Sequence, residues 1–122
     1  MSIYDDANNA FERGELVRVR ELLAPGAVSG DPDAQAALGT FLTLTSDPRP
    51  FREGVEWLRS AADAGDGVAA HNLGTILLSG GPGVDPDCEE AMRYLERARE
   101  SGFEATMSFD TESGGIDWLL QR

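Results

Sequence analysis

Self-similarity at a fixed spacing limits the folds open to this chain more than any other feature. Residues 22–42, LLAPGAVSGDPDAQAALGTFL, lie over residues 57–77, WLRSAADAGDGVAAHNLGTIL, at a constant offset of 35. Leu23 falls on Leu58, Ala27 on Ala62, Gly30 on Gly65, Asp31 on Asp66 and Ala34 on Ala69, and Leu38-Gly39-Thr40 falls on Leu73-Gly74-Thr75. Residues 53–65, EGVEWLRSAADAG, lie over residues 90–102, EAMRYLERARESG, at an offset of 37, with Trp57 on Tyr94, Leu58 on Leu95 and Ala61 on Ala98. Two residues have entered the intervening Gly80-Gly81-Pro82-Gly83 loop. Repeats of this length are helix pairs that stack on their neighbours to bury a shared core, because one pair cannot cover its apolar face alone.

Local signals agree with helices. Asp31-Pro32 and Asp85-Pro86 each offer an N-cap followed by a proline at the first helical position. Gly65 and Gly102 follow alanine-bearing stretches where a left-handed C-terminal residue is needed. Small residues at Ala34, Ala37, Gly39, Ala69, Ala70 and Gly74 let paired helices approach, and Leu38, Leu42, Leu58, Leu73, Leu77 and Leu95 fill the seam. The expected helix pairs are 2–13 with 15–24, 31–45 with 50–64, and 67–79 with 86–101, within one domain covering 1–122. The repeats run over about 1–30, 31–65 and 66–102, followed by a C-terminal cap at 103–122.

On these residues the chain resembles the Sel1-like repeat family, relatives of the tetratricopeptide repeat. The resemblance rests on Ala70, Leu73-Gly74, Gly81-Pro82-Gly83-Val84, Asp87, Ala91, Tyr94, Ala98 and Gly102. The middle repeat keeps Ala34, Leu38-Gly39, Trp57, Ala61-Ala62 and Gly65, but has Ser46-Asp47-Pro48-Arg49-Pro50 in place of the glycine turn. The first repeat departs further, with Ile3-Tyr4 where the Leu-Gly pair belongs and Pro25-Gly26 expected to interrupt its second helix. The resemblance implies an all-α fold, a short α-solenoid of about three helix-turn-helix repeats, and a protein–protein interaction module without chemistry of its own.

Charge narrows the partners. The chain carries a net charge of −12, and its basic residues are all arginine. A field of that sign repels phosphate backbones and anionic lipid, so neither nucleic acid nor membrane is expected as a partner. The N-terminus, MSIYDDANNAFERG, is acidic where a secretory signal is basic, and no apolar run approaches a membrane span. Cys88, the single cysteine, has no internal disulfide partner, which fits a reducing compartment. A cytoplasmic protein is expected.

Candidate chemistry is sparse, and no enzyme, cofactor or metal is expected. The loop LLSGGPGVDPDCEEA, residues 77–91, is the only stretch that looks like a phosphate cradle. A phosphate loop of that type ends in Gly-Lys-Ser/Thr, and a dinucleotide loop follows a strand. Here lysine is absent, a helix precedes, and Asp85, Asp87, Glu89 and Glu90 crowd the next helix start, so the loop reads as a turn. The same carboxylates lack calcium-loop spacing and read as a helix cap. His71, the only histidine, lacks a partner that spacing would guarantee, and the acidic neighbours of Cys88 oppose a reactive thiolate.

In the resembled family the first helix of each pair lines a concave groove. That register places Asp5 and Asn8, then Asp33, Ala36, Thr40 and Thr43, then His71, Asn72, Thr75 and Ser79 along it. Related clamps hold peptide carboxylates with lysine, arginine and asparagine. Asn72 matches the asparagine, but the cations are missing, which favours a neutral or basic protein or peptide. A solvated stripe with no partner is the alternative. Two other functional readings stay open: an inhibitor of the immunity type covering a basic toxin or enzyme, and a small-molecule binder or enzyme using the His71 region. After Gly102 the repeat pattern is lost, and Gly114-Gly115 precedes IDWLLQR, where Ile116, Leu119 and Leu120 share one helical face with Trp118 beside them. This segment either caps the last repeat or docks into a second copy to give a homodimer.

Overall fold

The computed structural model describes residues 2–102. Among them are six helices: α1 (Ile3–Glu12), α2 (Leu16–Val28), α3 (Pro32–Leu42), α4 (Pro48–Asp63), α5 (Gly67–Ser79) and α6 (Cys88–Glu100). Sequential helices pack as antiparallel pairs that stack side by side, an all-α short solenoid.

Each start has a local cause. Ser2 and Asp5 form a capping box on α1, in which each side chain accepts from the other residue's backbone N–H. Asp31, Asp47 and Asp66 accept from the backbone N–H groups of Asp33, Arg49 and Ala69, and prolines occupy the first turns of α3 and α4. At α6 the cap is Asp87, bonded by the Glu90 N–H, rather than Asp85. The cause lies one step earlier, where the Asp87 N–H donates to the Leu77 carbonyl at 2.8 Å and fixes Asp87 at the helix start.

Helix α2 also departs from expectation. It continues through Pro25-Gly26 to Val28 instead of breaking there. Proline removes only one hydrogen bond, and the last turn recovers support elsewhere. Ala27 is buried against the second repeat, and Gln35 on α3 donates its side-chain amide to the Ala27 carbonyl at 3.0 Å. Gly26 lies so close to α3 that a Cβ there would sit 2.9 Å from the Ala34 Cβ.

The glycine-rich loop is a turn. The Gly81 and Val84 N–H groups donate to each other's carbonyls at 2.9 Å, and the Gly80 N–H to the Ile76 carbonyl at 2.7 Å, which turns three of the loop's donors inward. Gly80 and Gly83 adopt φ of 73° and 72°, a region open to glycine. Gly81 rests against the Phe51 ring and leaves no room for a side chain. The two added residues thus lock the loop onto the start of α4.

Two apolar clusters form the core. One joins Ala7, Ala10, Val19, Leu23, Ala27, Ala34, Leu38 and Leu42 across α1, α2 and α3. The other joins Phe51, Val55, Leu58, Leu73, Leu77, Tyr94 and small alanines across α4, α5 and α6, with Ala36 of α3 at its edge. Helix α3 therefore belongs to both, turning one side to each neighbour. The pairs cross at glycine: Gly39 of α3 against Gly54 of α4, and Gly74 of α5 against Ala91 and Leu95 of α6.

Candidate functional site

The first helices of the pairs, α1, α3 and α5, contain no arginine, whereas the second helices carry most of them. On the second-helix side the arginines bind carboxylates. Arg20 of α2 pairs with Glu53 of α4 at 2.6 Å, Arg59 of α4 with Glu90 of α6, and Arg97 of α6 with Asp63 of α4 at 2.8 Å. Arg93 reaches Glu90 within its own helix at 3.9 Å, and Arg52 lies against the Gly83 turn. Burial opposes the Arg59 charge, but its hydrogen bonds to Glu90 and Tyr94 outweigh that and hold its pKa above the ordinary arginine value. The Tyr94 hydroxyl donates to Asp63 at 3.2 Å, and the Arg59 and Arg97 guanidiniums lie 5.9 and 5.2 Å from its ring centre. Burial raises the Tyr94 pKa, so the phenol stays protonated and able to donate. This seam ties repeats together and uses up much of the positive charge of α2, α4 and α6.

The first-helix side carries the groove residues expected from sequence, and they divide by burial. Asp5, Asp33, Thr75 and Ser79 are exposed, and Asn8, Thr40 and Thr43 are half-buried. Ala36, His71 and Asn72 are buried, at 2%, 5% and 8% exposure. Asn72 donates its amide to the Thr40 hydroxyl at 3.1 Å, a bond from α5 to α3 across the repeat boundary. The Thr43 and Thr75 hydroxyls donate to the Thr40 and His71 carbonyls at 3.0 Å, and Ser79 to the Gly80 carbonyl at 3.2 Å. Asn8 donates to Glu12 at 3.3 Å on α1. Thr75 also lies 3.4 Å from His71 Nε2. Burial pushes the His71 imidazole down to about 4, so it is neutral at physiological pH.

Thr40 and Asn72 therefore act together as a tie between repeats. Asn72→Ala is expected to lower unfolding stability by about 1–2 kcal/mol, since a buried bond is lost and Thr40 is left under-satisfied. A double-mutant cycle with Thr40→Val should return a coupling near 1 kcal/mol. Zero coupling in denaturant titrations would show that the bond does not hold the repeats.

The sequence reading missed some contributors. Phe11 of α1 and Phe41 of α3 place their rings 5.2 Å apart, so this side is more aromatic than a polar stripe alone. Leu44, at 42% exposed, lies just beyond α3. Gln35 was also missed, and nothing in its spacing marks it. Gly54 was missed too, although its alignment with Ala91 in the next repeat carries a signal. A shallow depression of about 450 Å³ lies beside the α4–α5 turn, lined by Asp63, Asp66, Arg97, Glu100 and Ser101 among others.

Among the described residues no His, Cys, Asp or Glu group is arranged to hold a metal, and no helix is long and apolar enough to cross a membrane. Ile116, Trp118, Leu119 and Leu120 lie outside the described residues.

The Sel1 repeat family model matches residues 32–66 and 67–103. The first match takes in α3 and α4, and the second takes in α5 and α6. Neither curated proteins nor solved structures return a match.

Proposed function

The chain belongs to the Sel1 repeat family, and from that premise we propose that it is a non-catalytic adaptor whose first-helix side, α1, α3 and α5, receives a neutral or basic protein or peptide. Sel1 repeats generally mediate protein–protein interaction, and the family is typically without catalysis. One observation carries the finer reading: among the described residues the arginines lie in the second helices and the α1–α2 turn, where many are bound to carboxylates, while the first helices contain none. The charged side chains of α1 and α3 are all acidic, with Asp5, Asp6 and Asp33 exposed, and α5 carries no Asp, Glu or Arg. Such a face attracts cationic segments and repels peptide carboxylates.

His71 fits a structural role here, since at 5% exposure its imidazole has little access to a substrate. A cytoplasmic setting belongs to the same reading, with Cys88 a free, exposed thiol.

The test begins with affinity capture from the native host at low and high salt, followed by titration of the partner identified. Asp33→Arg with Thr75→Arg places cations on two exposed positions of α3 and α5. It should weaken that partner about tenfold or more, about 1.4 kcal/mol, and flatten the salt dependence. Arg18→Glu on α2 should leave affinity unchanged. Equal affinity in both variants would move the contact off the first-helix side. A single basic partner bound tightly, with steep loss in salt, would specify a dedicated inhibitor of that partner rather than a general adaptor.

A further inference from the structure

The two seams between second helices are built differently, and repeat register locates the difference. At the α4–α6 seam the guanidiniums of Arg59 and Arg97 flank the Tyr94 ring, 5.9 and 5.2 Å from its centre. Asp63 accepts from the Tyr94 hydroxyl at 3.2 Å. The offset of 37 places Trp57 of α4 on Tyr94 and Ser60 on Arg97. The offset of 35 places Ala24 of α2 on Arg59 and Val28 on Asp63. Both cations that cover the ring of the last seam are thus replaced, at the α2–α4 seam, by small uncharged residues. The carboxylate is retained: Glu90, which binds Arg59, maps onto Glu53, and Arg20 binds Glu53 from one turn before Ala24. Trp57 is half-buried, packed against the apolar cluster of α1, α2 and α3. It lines a shallow cleft of about 410 Å³ with Glu53, Glu56 and Ser60. Glu56 is 72% exposed, and its contact with Arg59 is long, at 3.5 Å, so it holds the carboxylate weakly. Ser60, exposed and short, leaves the approach to the cleft open.

We propose that this cleft takes an arginine side chain of a protein or peptide partner, its guanidinium lying on the Trp57 ring and its N–H groups donating to Glu56. The chain's own arrangement at the equivalent ring selects this occupant. There two arginines supply flat cations beside the aromatic ring and N–H donors for the carboxylates of Glu90 and Asp63. Indole is the strongest of the aromatic hosts for a cation, so Trp57 offers a better surface than the tyrosine that already holds two. A planar guanidinium stacks on a ring and binds a carboxylate at once, whereas the ammonium of lysine is compact and more strongly hydrated. The carboxylates of Glu53 and Glu56 repel an anionic occupant and draw in a cationic one. The site stands on a second helix, so it adds a contact to those of α1, α3 and α5 and does not rest on them.

The test titrates the full-length protein with an acetylated, amidated Gly-Arg-Gly-Arg-Gly peptide and follows the indole N–H signals by heteronuclear NMR. The chain has two tryptophans, Trp57 and Trp118, and Trp118→Phe identifies the signal of Trp57. That signal should shift and saturate with the arginine peptide. It should stay in place with the citrulline counterpart, which keeps the shape of the side chain and lacks the charge. Ser60→Arg restores the cation that the last repeat has at Arg97, at an exposed position four residues after Glu56. It should weaken the arginine peptide about fivefold or more, while Ser60→Gln should bind as the wild type does. A Trp57 signal unmoved by the arginine peptide, an equal shift with citrulline, or undiminished binding by Ser60→Arg would overturn the proposal. Equal affinity for the lysine counterpart would overturn it in favour of general charge attraction. A Trp57 signal that moves with protein concentration alone, together with a dimer mass, would overturn it in favour of an arginine from a second copy of the chain.

Discussion

Replacing Gly39 by valine is expected to destabilise the fold by about 3 kcal/mol, against a total of roughly 5–15 kcal/mol for a domain of ordinary stability. A Cβ at Gly39 would stand 2.8 Å from the Gly54 carbonyl oxygen, 2.8 Å from Leu58 Cγ and 3.0 Å from the Leu58 backbone nitrogen. Two of these three atoms are backbone of α4, and they move only if the whole helix moves. That displacement would open the α3–α4 crossing, on which both apolar clusters depend. Intrinsic propensity acts the other way, since glycine is a poorer helix former than valine by a few tenths of a kcal/mol, and the collision outweighs it. Gly74→Val provides the comparison. There the nearest atoms are Leu95 Cγ and Cδ2 at 2.6 and 2.8 Å, and the nearest backbone atom is the Ala91 oxygen at 3.1 Å. Leu95 is half-buried and can turn outward, so a cost of about 1–2 kcal/mol is expected. Urea unfolding midpoints of the two variants decide it: equal losses would mean that the α3–α4 crossing is no stiffer than the last one.

Lowering the pH from 7.5 to 4 is expected to remove on the order of 2–3 kcal/mol of stability through His71 alone. Its folded pKa is pushed down to about 4 by burial, below the ordinary value of 6.5 that applies when the chain unfolds. Between those values the unfolded chain binds the proton and the folded chain does not, so stability falls as pH falls through that window. Above about pH 7 both states are neutral at this position, and the contribution is flat. The many carboxylates also titrate near the lower end, so the wild type alone does not isolate the effect. His71→Gln keeps a neutral polar side chain and lacks the titration. The stability difference between the two proteins should therefore shift in favour of the variant from pH 7 to pH 4. A difference constant with pH would show that the imidazole charges freely in the folded state.

Much of the architecture can be read from residue order. The offset of 35 places Leu38 on Leu73 and Leu23 on Leu58, and all four are buried to 1% or less. Asp31 and the glycines at 65 and 102 mark helix ends through chemistry confined to a few residues. Such signals survive in one dimension because a cap or a positive φ depends on neighbours along the chain. Pro25 shows the limit: its local preference says break, yet α2 runs on to Val28, where Gln35, eight residues beyond Ala27, reaches back to the Ala27 carbonyl. The expected groove residues show it again. Periodicity places Thr40, His71, Asn72 and Thr75 on first helices, but their exposure is set by how far α3 and α5 have approached. Arg59 and Arg97 are similar, since their partners Glu90 and Asp63 lie one repeat away.

By itself, then, the sequence determined the repeat period, the helical class, the caps and the sign of the charge, all properties of spacing and composition. Only the tertiary structure decided which polar side chains are buried as ties between repeats and which arginines are paired. These depend on distances between residues some 30 or more positions apart, as in Thr40 with Asn72 and Arg59 with Glu90. Close approach at Gly39 and Gly54 sets those distances, because without side chains at the crossing the two backbones come near enough to fix how the helices stack.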